Sequence, residues 1–244
     1  MELKISDKVN QYFEKVKKET NRKIRVIIVD NFLVAGMVAA FSPDPSFIKI
    51  GVLKNIINDS NNLENSLAHE VTHGLLLYGY GYSTLKPITQ LNETQNKSLG
   101  LIGTMIDDIV VNKLIQDEGF EPYAKVYPSM VSKEATALNK GKNFYNMFDS
   151  DEVFKSRFIT FRYVLAWGFN EYFNIDNNLR VDINKYFKAV KKQYEEISRT
   201  SQKITESIRV NNIFTADGHR KVYKEILDIW GLNESVEFVS FNSQ

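Results

Sequence analysis

Apolar positions in the first half of the chain switch between helical and extended spacing. Val9, Tyr12, Phe13 and Val16 recur at helical intervals with Lys17 alongside, after Ser6 and Asp7 and before Asn21. They predict a first helix capped by Ser6 or Asp7 and ended at Asn21. Ile24 to Asp30 is β-branched and predicts a buried strand. Met37–Phe41 predicts a second strand, Ser42-Pro43-Asp44-Pro45-Ser46 a turn, and the alternating Phe47–Val52 a third strand. The short connection lets strands two and three pair as a hairpin. After a polar loop from Asn58 to Asn62, in which Ser60, Asn61 or Asn62 can cap, a helix is expected over Leu63 to Tyr78. Leu63, Leu67, Val71 and Leu75 form its inward stripe, and Gly79 and Gly81 stop it. A loop through Pro87 leads to a second long helix over Asn92–Asp117, ended by Gly119.

Beyond Phe120 the pattern changes. Pro122, Pro128 and a polar run to Asp151 read as an irregular linker or binding segment. Helical patterns follow around 152–174, 180–209 and 217–230. The expected fold class is α+β. It comprises an N-terminal helix, a small mostly antiparallel sheet and two long helices within residues 1–120, then a mainly helical part over 121–244.

Composition narrows the function classes. The chain has 244 residues, enough for one large domain or a medium domain with an appendage. Net charge is +1, so no global bias points to nucleic acid or an anionic membrane. The local clusters Lys15-Val16-Lys17-Lys18 and Lys188-Ala189-Val190-Lys191-Lys192 carry interleaved or nearby Glu and read as solvated helix faces. There is no cysteine, which excludes disulfides, thiol nucleophiles and Cys-ligated zinc. Met1–Lys8 is too polar for a signal peptide, and no apolar run approaches the ~20 residues of a membrane helix. A soluble, cytoplasmic protein with no nucleic-acid or membrane partner is the expectation; oligomeric state is not legible.

The chemistry concentrates on one helix. Two of the three histidines, His69 and His73, lie four apart with Glu70 between them. Residues i and i+4 share a helix face, so two imidazoles there can converge on one zinc ion. Glu70 is turned about 100° from His69 and lies beside such an ion, where a general base takes a proton from bound water. Catalytic zinc usually has three protein ligands. No further histidine follows to give a H-E-x-x-H-x-x-G-x-x-H pattern, so a carboxylate on another element is expected. Asp107 and Asp108 stand in the otherwise apolar stretch Met105–Asn112, where acids are costly unless paired or metal-bound.

At these residues the chain resembles the zincin metallopeptidases, and within them the gluzincin-like group. There a second helix supplies an acidic ligand, followed four residues later by a polar residue that orients a ligand histidine. Asp108 and Asn112 have that spacing. The resemblance covers roughly residues 24 to 118 and departs from the usual pattern in having Asp in place of Glu, one methylene shorter. It implies a zincin-like fold, one Zn²⁺ and hydrolysis of a peptide or protein substrate. Helix geometry favours Asp108 as ligand, on a face with Leu101, Met105, Asn112 and Ile115. Asp107 points about 100° away, so only one of the two can bind the ion; the choice between them stays open, and the other acid is left to orient a histidine. Zincins pair an extended substrate with an edge strand beside the active helix; Met37–Phe41 and Phe47–Val52 both suit that role.

His219, the last histidine, is a candidate oxyanion donor; its other reading is a first-turn residue of a helix capped by Asp217. Tyr78, Tyr80 and Tyr82 are rival donors. No nucleophile arrangement or phosphate loop is present. Two alternatives to a peptidase remain: a non-cutting zincin-like scaffold, which would have no need of Glu70, and a helical interaction protein.

Overall fold

The computed structural model describes residues 3–32, 37–44, 46–123 and 127–241. Met1 and Glu2 of the polar N-terminus, Pro45 of the expected turn and residues 124–126 of the expected irregular segment lie outside the described residues. The fold is α+β and mostly helical, with two small sheets among the described residues.

The chain forms two compact units. One unit comprises Met1–Tyr82, Leu114–Pro122 and Ser240–Gln244; the other comprises Ser83–Lys113 and Tyr123–Val239.

In the first unit, α1 (Asp7–Thr20) starts where Ser6 accepts a bond from the Val9 amide and ends at Asn21, which takes a left-handed φ of 52°. Strands β1 (Lys23–Val29), β2 (Ala39–Pro43) and β3 (Phe47–Leu53) follow, with sheet order β1-β3-β2. β2 and β3 pair antiparallel, as the hairpin reading expects. β1 pairs parallel to β3, with Ile24 opposite Ile48 and Val26 opposite Ile50, so the sheet is mixed and not mostly antiparallel. Strand directions alternate just as they would in a meander. Only the order differs, because β3 inserts between the other two and buries Ile48, Ile50 and Val52 on one face. β2 is thereby left at an edge.

Helix α2 (Ser60–Tyr78) packs on this sheet with Leu63, Leu67, Val71 and Leu75 all buried. Its cap is Asp59, one residue before the expected candidates, with Oδ1 accepting from the Asn62 amide at 3.2 Å. Helix and sheet meet closely at Gly74, where a Cβ would sit 2.6 Å from Ile48 Cγ2. Ile48 is fully buried and has nowhere to retreat. Gly74→Ala is expected to cost about 1–3 kcal/mol by overpacking. Urea denaturation checks this, and a cost below about 0.5 kcal/mol would mean that the contact is looser than described.

In the second unit, β4 (Ser83–Pro87) pairs with β5 (Val236–Ser240), where a loop was expected through Pro87. Helix α3 (Glu93–Asp117), whose residues from Leu114 onward fall in the first unit, matches the expected second long helix. The segment read as irregular holds a helix, α4 (Tyr127–Asn139), with Val131, Ala135 and Leu138 buried. Residue 128 falls in its first turn, where a proline's missing N–H costs no intrahelical bond. Helix α5 (Glu152–Tyr172) follows. The stretch 180–209 divides at Tyr194 into α6 (Asn177–Gln193) and α7 (Glu195–Val210). Helix α8 (Ala216–Trp230) is capped by Thr215, whose side chain accepts from the Gly218 amide, and not by Asp217. Among the described residues, no helix is long and apolar enough to cross a membrane.

Candidate metal centre

Helix α2 presents His69 and His73 one turn apart. Their Nε2 atoms face each other at 3.2 Å, with the rings inclined at 74°. The turn between them is fixed from outside. Thr72 donates to the Ala68 carbonyl at 2.6 Å, and the buried Tyr12 hydroxyl of α1 then donates to Thr72 Oγ1 at 2.7 Å. Burial pushes the Tyr12 hydroxyl far above its ordinary pKa, so it stays a donor.

Glu70 is buried beside this pair. Its Oε2 accepts the backbone N–H of Phe41 on β2 at 2.6 Å. The strand register explains why that amide is available. The Leu53 amide bonds the Val38 carbonyl, so in this antiparallel pair residues 38, 40 and 42 face β3. Ala39 and Phe41 occupy the alternate positions, and their backbone groups point away from the sheet. The edge of β2 turned away from β3 is thus the edge that meets Glu70.

On α3, Asp108 is the acid that joins the histidines. One ligand atom from each of His69, His73 and Asp108 lies within 4.8 Å of the others. Asp107 faces elsewhere. Its Oδ1 accepts from His219 Nε2 at 2.6 Å and from the Tyr223 hydroxyl at 2.6 Å. The two neighbouring acids therefore have separate partners, as their 100° separation on the helix requires. Asn112 is fully buried; its Nδ2 donates to the Asp108 carbonyl at 2.7 Å, and its Oδ1 accepts from the Tyr123 amide at 2.6 Å. It ties the helix turn that carries Asp108 to the segment beyond α3.

Of the other candidates, His219 is fully buried in the first turn of α8 with its Nε2 on Asp107. The Tyr78 hydroxyl is engaged with Asp44, donating to its carbonyl at 3.0 Å and accepting its amide at 2.9 Å. Tyr80 is exposed and Tyr82 buried. Tyr223 was not anticipated. Its signal was available in the sequence, because it stands four residues after His219 on a helical pattern and so shares its face.

Two imidazole nitrogens and one carboxylate oxygen form a donor set that a divalent ion such as zinc accepts. Zn–N distances of about 2.0–2.1 Å at tetrahedral angles place two ligand nitrogens about 3.3 Å apart. The 3.2 Å separation of the histidine Nε2 atoms fits that value. These three residues can hold a metal ion.

No family model, curated protein or solved structure matches the chain. The reading of this centre therefore rests on its geometry.

Proposed function

We propose that the chain is a zinc-dependent peptidase that hydrolyses peptide bonds with Glu70 as general base. The observation that carries this reading is the joint placement of the His69–His73–Asp108 group and a buried Glu70 next to it in sequence. His69, His73 and Asp108 would hold the ion. A bound zinc ion polarises a carbonyl and lowers the pKa of a water. Glu70 takes a proton from the attacking water and passes it to the leaving nitrogen. Its Oε2 is already anchored by the Phe41 amide, which leaves Oε1 to meet the water.

The edge of β2 supports a peptide as substrate. Ala39 offers an outward amide and carbonyl, and Phe41 an outward carbonyl, on the side where Glu70 lies. An extended chain can add there by main-chain hydrogen bonds. β3 has no such edge, since β1 and β2 flank it.

Removal of metal tests the proposal. Dialysis against a chelator is expected to abolish cleavage of a broad peptide pool, and one equivalent of zinc to restore it. Protein purified without chelator that holds no zinc and gains none on titration would sink the metal reading. Protein that binds zinc and cuts nothing would instead be a metal-holding scaffold.

A further inference from the structure

We propose that His219 and Tyr223 are positioning residues that aim Asp108, acting through Asp107. The inference rests on the reading of His69, His73 and Asp108 as a metal centre. Both donors stand on α8, four residues apart, and both are buried. Both reach the same atom, Asp107 Oδ1, at 2.6 Å. Two bonds onto one oxygen from one rigid helix fix where residue 107 points.

Residue 107 and residue 108 are consecutive on one helix, so fixing the azimuth of one fixes the other. The lever is short and the tolerance small. A side-chain atom about 5 Å from the helix axis moves about 0.9 Å for a 10° roll. Metal and catalytic sites need their ligands held within about 0.5 Å. Aspartate has one methylene less than glutamate to absorb such an error.

The chemistry of the clamp also favours this role over plain packing. The neighbours of Asp107 and Asp108 along α3, Met105, Ile106, Ile109 and Val110, are all buried and apolar. An apolar contact between α3 and α8 would be at least as stabilising as a carboxylate bonded to an imidazole and a phenol. What the polar clamp adds is a defined rotation. The start of α8 is held against the end of α7: at Gly218, beside His219, a Cβ would fall 1.7 Å from the carbonyl oxygen of Asn211, which caps α7.

Zinc affinity, measured on the full chain by competition with a chromogenic chelator, tests the proposal, with the melting temperature of each metal-free protein as the control. Asp107→Ala is expected to weaken zinc binding by roughly 10–100-fold, the usual effect of losing an outer support of a metal ligand. Asp107→Asn keeps an oxygen acceptor for both donors and should stay within about threefold of the parent. Tyr223→Phe removes one bond and no packing, and should weaken zinc severalfold even if Asp107→Ala fails to fold. Unchanged affinity in Asp107→Ala or Tyr223→Phe, with only a lowered melting temperature, overturns the proposal and leaves the metal reading standing. So does equal weakening in Asp107→Ala and Asp107→Asn, which would assign the effect to charge. A parent chain that takes up no zinc overturns the metal reading as well.

Discussion

Glu70→Gln is expected to lower peptide hydrolysis by about 10²–10⁴-fold while zinc remains bound. The substitution is nearly isosteric. Gln keeps a carbonyl oxygen that can accept the Phe41 amide, so the contact between α2 and the edge of β2 survives. The amide cannot take a proton from water, so only the base is lost. His73→Ala makes the contrast, since it removes one of the two facing Nε2 atoms and should cost both metal and turnover. Metal content by elemental analysis and initial rates on a peptide pool separate the two variants. Undiminished cleavage by zinc-loaded Glu70→Gln would exclude Glu70 as the base.

Parts of this centre were legible in the sequence because they depend on local geometry. The i, i+4 spacing of His69 and His73 fixes their common face whatever surrounds them. That only one of Asp107 and Asp108 can join the histidines follows from the 100° step between neighbours; the helix face favours Asp108 without deciding it. The caps of α1 and the stripe of α2 are of the same kind. What escaped depends on long-range pairing. The insertion of β3 between β1 and β2 leaves every strand's local pattern unchanged, so periodicity carries no trace of it. β4 and β5 are 5-residue strands that form only because distant segments meet. The helix α4 was hidden by a proline in a place where proline does no harm. The partnership of His219 with Asp107 spans 112 positions in sequence. Only the spacing of His219 and Tyr223 on α8 could have hinted at it.

The second unit holds a buried charge whose removal should have the largest effect on stability. Glu134 of α4 and Arg162 of α5 form an ion pair with both side chains more than nine-tenths buried. The other Glu134 oxygen accepts from the Tyr145 hydroxyl at 2.9 Å, and the Tyr186 hydroxyl of α6 donates to Tyr145 at 3.0 Å. Burial pushes both phenols far above their ordinary pKa, so they remain donors. The Arg162 guanidinium also lies over the Tyr127 ring at 4.4 Å. Glu134→Ala strands the guanidinium and leaves the Tyr145 hydroxyl without its acceptor. Breaking a buried pair in this way costs about 3–5 kcal/mol. At about 2–4 °C per kcal/mol for a domain of 150–250 residues, the melting temperature should fall by roughly 6–20 °C. Removing both charges, as in Glu134→Leu with Arg162→Met, should recover much of that loss, because no buried charge is then unpaired. Calorimetry on the parent and the two variants decides the point. If the double variant is as unstable as Glu134→Ala, the loss comes from the tyrosine network and not from the stranded charge. A single variant that melts like the parent would mean that water reaches Arg162 and that the pair is not buried as described.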